Sequence, residues 1–215
     1  MTLPHAVIIA GGRGERLGGV RKADLRIGGR RLVDRVAAAL GTVDGPLMIA
    51  TGPGDKRFRL PAGAVAVADL DAPVGGPLAG LAAAVEALRT RGIGTGLLVT
   101  VAVDTPFLPA DFVTVMSKGL GSAATAYAAC GDQFHPPNAI WRLEALATLP
   151  AQVRAGSAAP SLKALQKMLG AAPVDWASVA GADPFANVNT MDDLIALGRI
   201  AGNHGPSPLI HMPGN

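Results

Sequence analysis

Short apolar runs alternate with helix-like segments along the first half of the chain. The four runs with the length and β-branched composition of buried strands are residues 7–10, 47–50, 64–67 and 97–103. Between them, apolar residues recur at helical spacing over residues 32–40 and again over 78–88. Strands that alternate with helices in this way predict βαβ units, a mainly parallel sheet and hence an α/β fold.

The second half of the chain is less regular. The segments predicted there are strands at 123–130 and 138–141 and helices at 143–149 and 161–169. Thr190 and the acidic pair Asp192 and Asp193 resemble a capping box, which predicts a last helix. We expect one domain over residues 1–201, because no repeat or Pro/Ser-rich linker interrupts them, and a flexible tail over 202–215.

Composition and charge restrict the class of protein. Hydrophobic residues make up 49% of the chain and charged residues 16%, which excludes a disordered chain. The net charge is only +3, and no dense Lys/Arg cluster interleaves with the eight aromatic residues, so anionic small molecules fit better than nucleic acid. The single cysteine, Cys130, rules out an intramolecular disulfide. Without a secretory leader or a span of about 20 apolar residues, we expect a cytoplasmic protein with no membrane contact.

A loop rich in glycine and arginine follows the first predicted strand, with the sequence GGRGERLGGVRK at residues 11–22. Its glycines let backbone N–H groups approach a ligand, and four cations surround them, with Glu15 as the only opposing charge. Such a loop suits a polyphosphate. It is neither a P-loop, because Ala23 follows Lys22, nor a dinucleotide fingerprint, because position 17 is Leu. A flexible surface loop is the alternative.

Two aspartates directly follow predicted strands. Asp69 and Asp104 should lie beyond the carboxyl ends of the sheet, where open parallel sheets bind ligands. Together with triphosphate oxygens, a carboxylate held there can complete the octahedral shell of Mg²⁺. The alternative for each is a helix cap or a turn.

Three further features have a functional and a structural interpretation. The glycines of segment 75–80 either permit close helix packing or leave room for a nucleobase or substrate. His135 lies in a proline-rich loop, where local evidence favours exposure or packing over catalysis. Asn187 and Asn189 alternate around Val188, so an extended backbone would direct both amides to one side, unless they only cap a turn.

Taken together, these motifs resemble the molybdenum cofactor guanylyltransferases, a branch of the nucleotidyltransferases that share a Rossmann-like, three-layer α/β/α fold. The matching pieces are AGGRGERLGGVRK at 10–22, GGPLAG at 75–80, VDTPFLPADF at 103–112, HP at 135–136 and FANVNT at 185–190. The first piece is shared by many nucleotidyltransferases, whereas FANVNT followed by an acidic helix start indicates the molybdopterin branch. The pair Gly11-Gly12 resembles guanylyl rather than cytidylyl members.

The resemblance implies a Mg²⁺-dependent transferase that moves GMP from GTP to molybdenum-bound molybdopterin and releases pyrophosphate. It implies that Ile9, Ala10, Gly11 and Gly12 line the guanine and phosphate site, with Gly80 beside them. Arg16 and Lys22 would neutralise the triphosphate, Asp69 would hold the nucleoside, and Asp104 would bind the metal and the nucleotide. His135, Asn187 and Asn189 would face the pterin substrate. Proteins of molybdoenzyme maturation are further implied partners.

The sequence departs from this pattern in three places. Arg21 replaces an acidic residue, Ala50-Thr51 replaces an asparagine, and the cysteine common before Asp104 is missing. The alternatives are a cytidylyltransferase for the same cofactor and a non-catalytic protein that binds nucleotide or molybdopterin. The presence of both Lys22 and Asp104 favours an enzyme.

Overall fold

The computed structural model describes residues 2–11, 13–14, 19–52, 59–73, 75–177 and 183–203. The strands in these ranges are β1 (His5–Ile9), β2 (Arg13–Gly14), β3 (Val20–Arg21), β4 (Arg26–Ile27), β5 (Arg30–Arg31), β6 (Met48–Ala50), β7 (Val65–Val67), β8 (Leu97–Ala102), β9 (Thr125–Cys130), β10 (Gln133–Arg142) and β11 (Ala172–Asp175). The α-helices are α1 (Leu32–Leu40), α2 (Pro77–Thr90), α3 (Phe112–Gly119), α4 (Leu149–Arg154), α5 (Leu162–Met168) and α6 (Met191–Asn203).

The central sheet has seven strands in the order β11-β9-β10-β8-β1-β6-β7. Neighbouring strands run parallel except at β10, which is antiparallel to both β8 and β9. The predicted, mainly parallel sheet is therefore confirmed. After β1 the chain adds β6 on one side and later β8 on the other, so the strand order reverses at the β1–β8 pair. In open α/β sheets, ligands bind at the carboxyl ends of the strands beside such a reversal.

Helices cover both faces of this sheet. Ala6 and Ile8 of β1 pack into one core with residues of α1 and α3, whereas Val7 packs into a second core with residues of α2, α4 and α5. Successive side chains of a strand point to opposite faces, so an all-apolar strand is buried on both sides. This arrangement confirms the three-layer α/β/α fold.

The irregular second half of the chain completes the sheet. The predicted strands at 123–130 and 138–141 form an antiparallel hairpin, β9–β10, whose second strand begins five residues earlier than predicted. Pro136 and Pro137 argue against a strand in the sequence, because proline interrupts the pairing of a regular strand. Strand β10 accommodates them in a bulge, where the pairing register shifts between His135 and Ala139. Strand β11 was not predicted. It contains Pro173 and lies at the edge of the sheet, the position where a strand tolerates proline.

The helical predictions of this half are confirmed with shifted bounds. Residues 143–146 form a 3₁₀-helix, α4 begins at Leu149, and α5 covers most of 161–169. The last helix, α6, begins where the capping box predicted and ends at Asn203, two residues into the predicted tail. Residues 204–215 lie outside the described ranges, and the division into one domain and a tail stays a prediction. Among the described helices, none has the length and apolarity needed to cross a membrane.

Candidate active site

A cavity of about 500 Å³ opens beyond the carboxyl ends of β1, β6 and β8. Its wall includes the last residue of each of these strands, namely Ile9, Ala50 and Ala102. The other lining residues are Gly11, Lys22, Asp69, Leu70, Ala72, Gly75, Gly76, Pro77, Gly80, Val103, Asp104, Phe134, His135, Pro136, Pro137, Asn138 and Asn187. The cavity therefore lies at the reversal of strand order.

One ammonium group joins three distant segments in this cavity. Lys22 begins a short 3₁₀-helix after β3, and its Nζ donates hydrogen bonds to Asp104 Oδ2 at 2.7 Å and to Asn189 Oδ1 at 2.6 Å. The Lys22 and Asp104 side chains are only 16% and 18% exposed, so solvent screens their ion pair less than a surface pair. The backbone N–H of Val188 also donates to the carbonyl oxygen of Asp104 at 3.0 Å. The segment before α6 is thus held against the end of β8.

The segment 187–190 aims its asparagines as the alternation predicted. Val188 is fully buried, whereas Asn187 and Asn189 are exposed beside it. Capping falls to other residues: Thr190 Oγ1 accepts from the N–H of Asp193, and Asp193 Oδ2 accepts from the N–H groups of Asn189 and Thr190. These hydrogen bonds lower the pKa of the Asp193 carboxyl. The amide of Asn189 is therefore free of the cap and bonds Lys22 instead.

The side of the cavity next to β6 and β7 is shaped by close backbone packing. A Cβ atom added at Gly80 would lie 3.0 Å from Ala50 Cβ and 3.2 Å from Ile9 Cδ1, so Gly80 lets α2 approach the sheet closely. The close-packing interpretation of this glycine is therefore confirmed, and Gly80 also lines the cavity, where room for a nucleobase or substrate stays a prediction. The N-terminus of the 14-residue helix α2 opens onto the same space, and the partial positive charge of a helix N-terminus favours anions.

Asp69 supplies the carboxylate on this side. It follows β7, is partly buried and lines the cavity beside Leu70 and Ala72. Burial raises the pKa of the Asp69 carboxyl above its ordinary value. A desolvated carboxylate next to apolar walls gains from a hydrogen-bond donor or a cation, because either would restore the solvation that it has lost.

The opposite side of the cavity is built from the bulge in β10. Asn138 is 1% exposed, and its Oδ1 accepts a hydrogen bond from the N–H of Ala102 at 2.8 Å, which fastens the bulge to the end of β8. His135 is packed rather than exposed: its ring lies 5.0 Å from that of Phe185, and its Nε2 lies 3.2 Å from Asp183 Oδ2. Burial lowers the pKa of His135, and the nearby Asp183 opposes this shift only in part.

Most of the predicted site residues meet in this one place. Ile9, Gly11, Lys22, Asp69, Gly80, Asp104, His135 and Asn187 line the cavity, and Asn189 contacts Lys22. Ala10 is buried, and its N–H donates to Ala50 O, so it supports the wall without lining it. Gly12 and Arg16 lie outside the described residues.

Sequence reasoning missed two residues of the β10 side, Asn138 and Phe134. Asn138 was interpreted only as part of a strand, although a polar residue at the start of an apolar run, directly after two prolines, was a usable signal. Phe134 is 51% exposed and lines the cavity. Nothing in its local sequence distinguishes it from a core residue.

The donor set fits a metal ion that arrives with a phosphate ligand. Among the residues that the structure describes, no group of three or more His, Cys, Asp or Glu side chains could hold a metal by itself. Two carboxylates, Asp69 and Asp104, do line the cavity. One or two carboxylates completed by substrate phosphates are the usual setting for Mg²⁺.

Comparison with known proteins agrees with this geometry. The sequence model described as the MobA-like NTP transferase domain matches residues 6–168. A molybdenum cofactor guanylyltransferase of Nitrobacter hamburgensis is 33% identical over 94% of this chain and 96% of its own length. One from Rhodobacter capsulatus is 37% identical over 87% of this chain and 91% of its own.

Solved structures show the same fold at lower identity. Molybdopterin-guanine dinucleotide biosynthesis protein A from Archaeoglobus fulgidus superposes with a TM-score of 0.69 at 20% identity, over 93% of this chain and 99% of its own. A 2-C-methyl-D-erythritol 4-phosphate cytidylyltransferase from Thermus thermophilus gives 0.62 at 21% identity, over 91% and 98%. The chain therefore belongs to the MobA-like NTP transferase family, in the group of the molybdenum cofactor guanylyltransferases, and is a nucleotidyltransferase.

Proposed function

We propose that this chain transfers GMP from GTP to the phosphate of molybdenum-bound molybdopterin, forming the guanine dinucleotide cofactor and pyrophosphate. The observation that carries the proposal is Lys22, held between Asp104 and Asn189 where the strand order reverses. These hydrogen bonds join Lys22, at the end of the glycine-rich segment, to the aspartate that follows β8 and to an asparagine of the FANVNT segment. Relatives at 33% and 37% identity carry the name of this activity.

The reaction needs charge neutralisation more than a protein nucleophile. An oxygen of the acceptor phosphate attacks the α-phosphorus of GTP, the bond from that phosphorus to the bridging oxygen breaks, and pyrophosphate leaves with the electron pair. Both reactants are anions, so cations that hold them together lower the barrier. The chain's contribution is therefore to position two phosphates and to balance their charge.

Lys22 is suited to this task without losing its present contacts. An ammonium group has three N–H donors, and two of them are directed at Asp104 and Asn189. Within the described part of the chain the third N–H has no hydrogen-bond partner, so it would donate to a phosphate oxygen in a direction that the two existing bonds fix. Arg16, in the same loop, is proposed as a second cation for the triphosphate.

Asp104 and Asp69 are the residues that would hold the metal and the nucleoside. Members of the family generally use a divalent metal ion. We assign Mg²⁺ to Asp104, whose partly buried carboxylate lies next to the ammonium of Lys22. When bound, the ion would supply positive charge to the triphosphate oxygens. Asp69 would accept hydrogen bonds from the nucleoside, which its burial favours.

The two substrates are assigned to opposite sides of Lys22. Ile9, Gly11 and Gly12, with Gly80 beside Ile9 and with Ala10 supporting the wall, would form the guanine and phosphate side near β6 and β7. His135, Asn187 and Asn189 would contact the acceptor on the β10 side. Partners among molybdoenzyme-maturation proteins and a cytoplasmic setting remain predictions.

A transfer assay tests the proposal. The purified chain is incubated without oxygen with Mg²⁺, molybdenum-bound molybdopterin and either GTP or CTP, and pyrophosphate and the dinucleotide product are measured. We expect acceptor-dependent pyrophosphate release with GTP and at least tenfold less with CTP, a ratio that corresponds to about 1.4 kcal/mol. A preference for CTP would move the chain to the cytidylyl branch, and no release with either would exclude the proposed activity.

A further inference from the structure

A second cavity, of about 320 Å³, adjoins the first on its β10 side. It is lined by Tyr127, Phe134, Pro136, Lys163, Gln166, Lys167, Gly170 and Ala171. Phe134 and Pro136 line both cavities, so these two residues form a common rim. A ligand that crosses this rim would occupy both spaces.

The rim is fixed to helix α5 by a buried amide. Gln166 is only 3% exposed, and its Nε2 donates to the carbonyl oxygen of Pro136 at 2.9 Å. On the same side of the rim, the Tyr127 and Phe134 rings meet edge to face at 5.8 Å. The wall of this cavity is therefore anchored, with an exposed aromatic face at its boundary.

Two lysines one helical turn apart line the second cavity. Lys163 and Lys167 are both exposed, and Lys163 Nζ lies 5.3 Å from the centre of the Phe134 ring. Within the described part of the chain, neither ammonium has a carboxylate oxygen within 4.0 Å. Two cations beside an aromatic face, with no acidic partner, suit a flat ligand that carries negative charge.

The strand order indicates which of the two substrates would extend into the second cavity. The nucleotide side of the first cavity borders β6 and β7, on one side of Lys22. The second cavity borders β9, β10 and α5, on the other side, beyond Phe134. A molecule whose phosphate reaches Lys22 from the β10 side would extend away from it across the rim.

Resting on the proposed function, we propose that the second cavity holds the end of the acceptor remote from its phosphate, namely the flat heterocycle and the anionic metal–dithiolene group. The heterocycle lies against Phe134 and Tyr127, and Lys163 and Lys167 neutralise the anionic group. The two lysines then determine acceptor affinity and contribute nothing to GTP binding.

The test is the double variant Lys163→Ala/Lys167→Ala, assayed anaerobically with GTP, Mg²⁺ and molybdenum-bound molybdopterin. We expect the KM for the acceptor to rise about tenfold, with the KM for GTP and kcat at saturating acceptor unchanged. The double variant Lys163→Arg/Lys167→Arg keeps both charges and should stay within about threefold of wild type. Lys118→Ala, which removes an exposed lysine of α3 outside both cavities, should have no effect.

The outcomes separate this assignment from the proposed function. If the wild type transfers GMP and the acceptor KM of the alanine variant is unchanged, the second cavity does not bind the acceptor. The proposed activity would then remain intact. An equal rise in both KM values also overturns the assignment of the second cavity, because such a change would reflect general damage to the site. If the wild type consumes GTP with no acceptor dependence, the proposed function is wrong and this assignment falls with it.

Discussion

The two sides of the cleft are built in different ways. The side next to β6 and β7 rests on parallel strands that are close in sequence to the glycine-rich loop, and its shape comes from tight packing at Gly80. The β10 side rests on an antiparallel hairpin with a bulge, the aromatic residues His135 and Phe185, and a segment far along the chain. Lys22 connects the two sides through Asp104 and Asn189.

Under the proposed assignment, this difference lets one scaffold serve two substrates. The side proposed for the nucleotide has the general features of an open α/β sheet, namely strand ends, a helix N-terminus and glycines. The β10 side is assembled from particular side chains. Under the proposed assignment, substitutions on this side determine which acceptor a branch of the family uses. We therefore expect changes on the two sides to affect different measured quantities.

The largest effect is expected where the two sides meet. Lys22→Met removes the cation that is proposed to contact both substrates while keeping much of the apolar stem. We expect kcat/KM for the transfer to fall about 100- to 1,000-fold, because a positioned charge at the phosphates is lost. The steady-state rate of pyrophosphate release measures this, with Lys118→Met as the control that removes an exposed lysine elsewhere. A fall of less than tenfold would show that the charge of Lys22 does not position the two phosphates.

A smaller effect, on stability, is expected from the nucleotide side. Gly80→Ala places a Cβ against Ala50 and Ile9, and such overpacking should lower the free energy of unfolding by about 1–3 kcal/mol. Gly198→Ala in α6 is the matched control, since nothing lies within 4 Å of its added Cβ, and alanine favours a helix by about 0.5–1 kcal/mol over glycine. Urea denaturation of both variants compares them. Equal stabilisation by both would contradict close packing at Gly80.

The smallest effect is expected on the β10 side, as a pH dependence. Burial holds the pKa of His135 below its unfolded value of 6.5, so the native state binds the proton less readily than the unfolded chain. The stability that neutral His135 contributes is present above pH 6.5 and is lost as the pH falls from there through the lowered pKa. In His135→Gln, the free energy of unfolding should decline less than in wild type across this range.

Urea titrations at several pH values between about 5 and 8 would measure the difference. The comparison uses the slope of unfolding free energy against pH, so a uniform loss of stability in the variant does not disturb it. Identical slopes in the two proteins would show that His135 titrates as an ordinary exposed histidine.

The contrast between the two sides also explains what the sequence could predict. Strand β1, the loop and Asp104 were recognisable because each feature is local: an apolar run, glycines with cations, and an acid after a strand. The β10 hairpin was only partly predicted because Pro136 and Pro137 hide a bulge that pairing with β8 and β9 stabilises. Strand β11 has no local signal, since its pairing with β9 decides its conformation.

The site shows the same limit. FANVNT indicated that Asn187 and Asn189 matter, but only tertiary structure shows that Asn189 bonds Lys22 while Asn187 lines the cavity. Asn138 was missed because its role depends on the N–H of Ala102, 36 residues earlier in the chain. Such contacts are set by the sheet order, which no short motif records.

The most direct test of the account is calorimetric titration of GTP into wild type and Asp104→Asn, each with and without Mg²⁺. We expect Mg²⁺ to tighten GTP binding to the wild type at least tenfold. This gain should be lost in Asp104→Asn, which keeps the size of the side chain but removes its charge. CTP should bind the wild type more weakly under the same conditions. Equal tightening by Mg²⁺ in both proteins would contradict the assignment of Asp104, and with it the site at the strand reversal.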